Sequence, residues 1–257
     1  MIVDLPRARG IASRISVLAE TGSTNADLRR LAGDPTGWPH LSVLLTDTQT
    51  AGRGRLDRTW VAPAGASVAI SVLLRRLPAG EGLGWVPLAA GLAMAEAVSA
   101  QLPGRDVGVK WPNDVLVEGR KICGVLAEAA PDAVIVGAGV NTAMTGEQLP
   151  VPSATSFAVL GETADVDVLL AEYLRRLELS LQLLRASGDA VSSGLHAEVS
   201  ARCVTIGSEV NVSLPDGRTL AGTATGIDDG GRLVVESEGV NIVVAAGDVV
   251  HVRPAGA

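Results

Sequence analysis

Residues 110–130 read KWPNDVLVEGRKICGVLAEAA. The run DVGVKW stops at Pro112, and two further apolar runs flank Glu118–Gly119. Proline has no N–H for a strand ladder, so the pattern predicts a strand, a break, and two more strands joined by a turn. Asn113 and Asp114 then project from a strand end, where a ligand can reach them. Lys121 starts the next strand, close enough through the turn to face the same pocket as Asp114. Cys123 lies two residues beyond Lys121, so alternation lets it share that face. Lacking a cysteine partner, it reads as a small buried hydrophobe.

Outward from this hairpin, ETGSTNADLRRLAG has the marks of a helix, with Ser23 or Thr24 as cap and Gly33 after the last turn. LSVLLTDTQT, ASVAISVLLR and AVIVGAGVN read as buried strands, and VPLAAGLAMAEAVSAQL as an apolar helix. Residues 165–200 carry a long helical pattern. From Cys203 the texture changes to alternating apolar and polar residues punctuated by PDG and DDGG, the signature of a small all-β module. The chain therefore divides at 202/203, into a larger domain of residues 1–202 and a module of residues 203–257.

The net charge is −7, which argues against nonspecific nucleic-acid binding. The β-module has three arginines against seven carboxylates, the wrong sign for a nucleic-acid surface. An anionic substrate must be met by a local cluster of cations. Two cysteines, far apart, support neither a disulfide framework nor a zinc site. No signal peptide and no run of 18 apolar residues is present, so a cytoplasmic protein without a membrane span is expected. The first ~20 residues are too short for a helix-turn-helix and its linker. Walker, GxGxxG and GxSxG motifs are absent.

Thr50–Trp60 reads TAGRGRLDRTW. Gly52 and Gly54 free the backbone to turn its N–H groups toward one point. Arg53, Arg55 and Arg58 can then grip phosphate or carboxylate oxygens, and Trp60 offers a flat face to a purine. A plain arginine-rich surface turn has the same composition. Only two lysines occur in the chain, Lys110 and Lys121. A point charge that arginine cannot replace is expected at one or both, Lys121 before Lys110. The glycines of GAGVN, Gly137 among them, let a ligand approach the backbone, and Asn141 can hold a phosphate or adenine. A carboxylate beside a lysine suits metal-assisted phosphate chemistry, with Asp114 holding Mg²⁺. An ion pair beside a core tryptophan is the plainer alternative.

STN, QTAGRGR, KWPNDV, GRKICGVLAE and GAGVN, in this order, resemble biotin protein ligase, and the resemblance runs from about residue 20 to 253. It implies an α+β fold: a mixed β-sheet backed by helices, as in class II synthetases, followed by an SH3-like C-terminal domain. It implies an ATP-dependent ligase that makes biotinyl-5′-adenylate and passes biotin to a lysine of a biotin carboxyl carrier domain of an acyl-CoA carboxylase. By the same resemblance Ser23, Thr24, Asn25 and Gln49 meet the polar head of biotin. Arg53, Gly54 and Arg55 close over biotin and phosphate. Lys121 contacts the carboxylate and α-phosphate with Gly124 nearby. Asn113, Asp114 and Asn141 serve ATP and Mg²⁺, and Trp60 packs near the adenine. Leu56 and Asp57 depart from the family's usual arginine and glycine. A lipoate ligase or octanoyltransferase of similar fold, and a regulator without chemistry, are the rival readings. The state expected is monomer or homodimer.

Overall fold

The computed structural model describes residues 4–55, 58–214, 217–245 and 247–251. A short helix, α1 (Pro6–Arg9), and strand β1 (Arg14–Val17) lead into α2 (Thr24–Leu31) and β2 (Ser42–Thr46). Two two-residue strands follow, β3 (Gly52–Arg53) and β4 (Thr59–Trp60), then β5 (Ser67–Leu74) and α3 (Val86–Gln101). The next four are strands: β6 (Val107–Lys110), β7 (Asp114–Val117), β8 (Arg120–Ala130) and β9 (Ala133–Asn141). Helices α4 (Val166–Ser187) and α5 (Leu195–Arg202) close the larger unit. The C-terminal strands are β10 (Glu209–Ser213), β11 (Thr219–Ile227), β12 (Leu233–Ser237), β13 (Val240–Val244) and β14 (Asp248–His251).

Seven strands form one mixed sheet in the order β1-β2-β5-β9-β8-β7-β6, in which β1 and β2 run parallel and the remaining pairs antiparallel. β5 (SVAISVLL) is buried at every position, as expected of a strand between two neighbours with both faces covered. Ser23 caps α2 by accepting from the Ala26 N–H. Glu118 and Gly119 take left-handed φ values of 49° and 74°, making the tight turn that the sequence places between β7 and β8.

The stretch Gly80–Gln101 is apolar and long enough to cross a membrane, yet 67% of its most apolar window is buried within the protein. Its composition is that of a central core helix: Leu88, Leu92 and Met94 join the same apolar cluster as the sheet and α4. The long helical pattern expected over 165–200 is broken in two. Gly188 ends α4 with a left-handed φ of 83°, and Gly194 starts α5 at 82°.

The C-terminal strands make a separate antiparallel sheet, β13-β12-β11-β10-β14. The DDGG turn is built by Asp228, whose carboxylate accepts from the N–H groups of Gly230 and Arg232. Residues 215 and 216 of the expected PDG turn lie outside the described residues. Two tryptophans fasten this sheet to the larger unit. The indole of Trp85 donates to the Asp229 carbonyl at 2.7 Å, and that of Trp111 to the Gly231 carbonyl at 3.0 Å. The Trp111 backbone N–H adds a bond to Thr205 Oγ1.

Candidate active site

A cavity opens on the face of the sheet where β8 and β9 run side by side, covered by the β3–β4 hairpin. Its floor is glycine by necessity. A Cβ on Gly139 would stand 2.5–2.8 Å from three indole atoms of Trp60, and one on Gly137 would meet the Asn25 amide at 2.4 Å. A Cβ on Gly124 would press on both Lys121 and Trp60. The indole N–H of Trp60 is buried without an acceptor.

One end of the cavity is a buried polar network. Gln49 Oε1 accepts from the Thr24 N–H at 2.9 Å and its hydroxyl at 3.2 Å. Ser71 Oγ lies 2.8 Å from Thr24 Oγ1 and donates to Asn25 Oδ1 at 2.6 Å. Such a cluster fixes its own donors and acceptors, and so suits a neutral polar ligand group that needs a defined pattern.

The other end is ionic. Lys121 Nζ lies 2.8 Å from Asp114 Oδ1 and 5.7 Å from the Trp60 ring. A bulge brings them together: Leu116 pairs with Lys121 but Val115 pairs with Cys123, so one residue of β8 is extra. The bulge also overturns the alternation by which Cys123 shares the face of Lys121. Cys123 is fully buried in the core, where burial pushes its thiol pKa up. The reading of Cys123 as a buried hydrophobe holds.

The expected arginine loop is a hairpin in which Gly54 N–H bonds to the Arg58 carbonyl. Leu56 and Asp57 lie outside the described residues. Arg55 reaches Asn113 Oδ1 at 3.2 Å. Burial lowers its pKa, opposed by the charges of Asp114 and Asp248. Arg58 pairs with Asp248 of the C-terminal sheet, whose hydrogen bond and charge raise the pKa of Arg58. Arg53 pairs with Glu128 at 3.1 Å.

Ser23, Thr24, Asn25, Gln49, Arg53, Gly54, Arg55, Arg58, Trp60, Asn113, Asp114, Lys121, Gly124 and Gly137 all line this cavity. Gly52, Lys110 and Asn141 do not. Gly52, the first residue of β3, packs against Gln49 and its strand partner Trp60. Lys110 sits opposite Asp114 in the β6–β7 pair, and burial lowers its pKa against the pull of Asp114 and Asp248. Asn141 is 3% exposed and donates its amide to the Thr155 carbonyl at 2.9 Å. The structure adds Gly139, Gly247 and Asp248 to the lining, and behind it Ser71 and Glu128, which touch Asn25. Of these, Gly139 was legible as the second glycine of GAG. The others come from parts of the chain whose meeting at the cavity no local pattern announces.

The model of the Biotin/lipoate A/B protein ligase family matches residues 23–141, a span that holds most of the cavity, and that of the Biotin protein ligase C terminal domain matches 205–252. The chain is 41% identical over 244 residues to the biotin--[acetyl-CoA-carboxylase] ligase of Mycobacterium tuberculosis, covering 93% of this chain and 90% of that one. It is 30% identical over 233 residues to the bifunctional ligase/repressor BirA of Escherichia coli, covering 88% and 70%. The solved biotin protein ligase from Aquifex aeolicus in complex with biotin and ATP superimposes with a TM-score of 0.77 at 25% identity, covering 94% of this chain and all of that one. The chain belongs to the biotin protein ligase family.

Proposed function

We propose that the protein activates biotin with ATP and transfers it to a lysine of a carrier protein. The biotin carboxylate attacks the α-phosphorus of ATP, pyrophosphate leaves, and biotinyl-5′-adenylate forms. The amine of the acceptor lysine then attacks the acyl carbon and AMP leaves. The observation that carries this reading is the cavity's polarity: a fixed neutral network at one end, and Lys121, Asp114 and Arg55 at the other. A uniformly apolar or uniformly charged pocket would not suit a ligand that is neutral at its head and anionic at its tail.

The first step brings two anions together. Unit charges 4 Å apart repel by ~4 kcal/mol at an effective dielectric of 20. Lys121 supplies a compact cation for the position between them, where its effect grows as charge develops on the oxygens. Arg55, held by Asn113 at 3.2 Å, leaves other N–H groups of its fork for phosphate oxygens. Trp60, lying on the glycine floor, walls the ligand along its length. The β3–β4 hairpin above it keeps water from a mixed anhydride that would otherwise hydrolyse.

Mg²⁺, carried with ATP, would supply neutralising positive charge to the phosphates when bound. Among the described residues no cluster of three or more histidine, cysteine, aspartate or glutamate side chains could hold a metal. A single carboxylate beside substrate phosphates is how Mg²⁺ is commonly held, and Asp114 fits that role.

The acceptor is taken to be the biotin carboxyl carrier domain of an acyl-CoA carboxylase; a carboxylase acceptor is supported by the relatives' names, which specify acetyl-CoA-carboxylase. Residues 1–202 are assigned as the catalytic domain and 203–257 as the C-terminal domain. A reducing, cytoplasmic setting suits the two free buried cysteines. Biotin-dependent ATP–pyrophosphate exchange tests the reading. Exchange with biotin and none with lipoate or octanoate is expected. Exchange driven by either fatty acid in preference to biotin refutes it.

A further inference from the structure

Glu128 lies on β8, beyond the segment that carries Lys121 and Gly124, and its side chain is 16% exposed. Its two oxygens serve two partners from different elements. Oε2 accepts from the Asn25 amide nitrogen at 2.7 Å, and Arg53 Nη2 lies 3.1 Å from both Oε1 and Oε2. Asn25 belongs to the neutral polar network at one end of the cavity, and Arg53 to the cationic hairpin over it. No other carboxylate among the described residues touches both.

An ionised carboxylate only accepts hydrogen bonds. Glu128 at 2.7 Å, together with the Leu126 carbonyl at 3.3 Å, therefore holds the nitrogen of the Asn25 amide on its side, which turns Oδ1 toward Ser71, the donor at 2.6 Å. The same carboxylate sets where Arg53 stands relative to that amide. We propose that Glu128 is a positioning residue that ties the polar network to the arginine hairpin, so that binding at the biotin end and binding at the nucleotide end reinforce each other through the path Ser71–Asn25–Glu128–Arg53. This rests on the reading of the cavity as a biotin and ATP site. The alternative is a half-exposed surface ion pair that holds Arg53 and nothing else.

The two differ in a coupling, which is reciprocal between ligands. Biotin affinity is measured by calorimetry on the full chain, with and without α,β-methylene-ATP and Mg²⁺. In the wild type the analogue should tighten biotin binding. In Glu128→Gln the side-chain carbonyl can still accept from Asn25, so biotin affinity alone should stay close to wild type. The tightening by the analogue should shrink by about two- to fivefold, the scale of one partly exposed ion pair. Arg53→Gln breaks the contact from the exposed end of the pair, where folding is not at stake, and should shrink it by the same factor. The double variant should lose no more than either single one. A wild type that binds biotin but shows no tightening overturns the proposal. So do single variants that keep the full tightening, or a double variant that loses the product of the two. A wild type that binds no biotin at all instead refutes the proposed function.

Discussion

Gly139→Ala asks whether the cavity is shaped by one contact. Gly139 has no left-handed φ, so a side chain there carries no backbone strain. The added Cβ would lie 2.5, 2.7 and 2.8 Å from Cε2, Cζ2 and Nε1 of Trp60. Ordinary carbon contacts begin near 3.5 Å, so the indole must retreat by about 1 Å. Overpacking of this kind costs roughly 1–3 kcal/mol. The cost should fall on the element that yields most easily. Trp60 sits on a hairpin held by only two residue pairs, Gly52–Trp60 and Arg53–Thr59, whereas Gly139 lies within the long β5–β9 and β8–β9 pairings. The hairpin should move and the sheet should not. Melting temperature should change little, while kcat/KM for biotin in pyrophosphate exchange should fall roughly 5- to 150-fold, the equivalent of that energy. In a Trp60→Ala background the same glycine substitution should cost less than about twofold, because the pair is then uncoupled. An equal loss in both backgrounds would refute the steric argument. So would a marked fall in stability with activity kept.

Lys121→Ala and Lys121→Arg should each lower adenylation by about 10²–10³ with the fold intact, since a wider fork does not fit between two close oxygens; near wild-type exchange in Lys121→Arg would show that charge alone suffices. Asp114→Ala should cut exchange steeply while calorimetric biotin affinity is largely kept, and equal losses in both would assign Asp114 a purely structural role. Far from the cavity, burial alone would raise the pKa of Glu178, but hydrogen bonds from His40 and Gln182 and the charges of His40 and Arg185 outweigh it and hold the value at about 2, below its ordinary 4.5. A depressed carboxyl stabilises the fold above its unfolded pKa, so this contribution should be present above pH 4.5 and fade toward pH 2. Glu178→Gln should flatten the acid limb of a stability–pH curve, and an unchanged limb would refute the assignment.

The parts of this site that a reader of the sequence can find are those where one short segment carries both the geometry and the chemistry. Asp114 and Lys121 share a hairpin whose turn is spelled by Glu118–Gly119, and Ser23 to Asn25 sit at a helix start that announces itself. Contacts across the topology are not spelled anywhere. Asp248 reaches Arg58 because Trp85 and Trp111 pin the C-terminal sheet in place, and neither tryptophan signals its carbonyl partner. The bulge between Lys121 and Cys123 is likewise silent, since nothing in KICG says which residue is extra. Asn141 shows the converse. Its place at the end of GAGVN suggests a ligand contact, but burial gives its amide a backbone partner, the Thr155 carbonyl.

An acidic chain can keep so many cations in one cavity because it supplies an internal counter-charge for most of them. Arg53 has Glu128, Arg58 has Asp248 and Lys121 has Asp114. Arg55 differs: its hydrogen bond goes to a neutral amide, Asn113, and it is partly stripped of water. On the proposed function, an incoming phosphate exchanges partners at Arg58 and Lys121, leaves the Arg53–Glu128 contact in place, and finds a less committed cation in Arg55. Exchange gains little net Coulomb energy, because each carboxylate released must be resolvated or take a new partner. A less committed, desolvated guanidinium gains more from the same oxygen. By this reasoning Arg55 contributes the larger share of anion affinity, and the paired cations contribute chiefly to where the anion is held. The paired carboxylates also keep the like charges around the cavity from repelling one another.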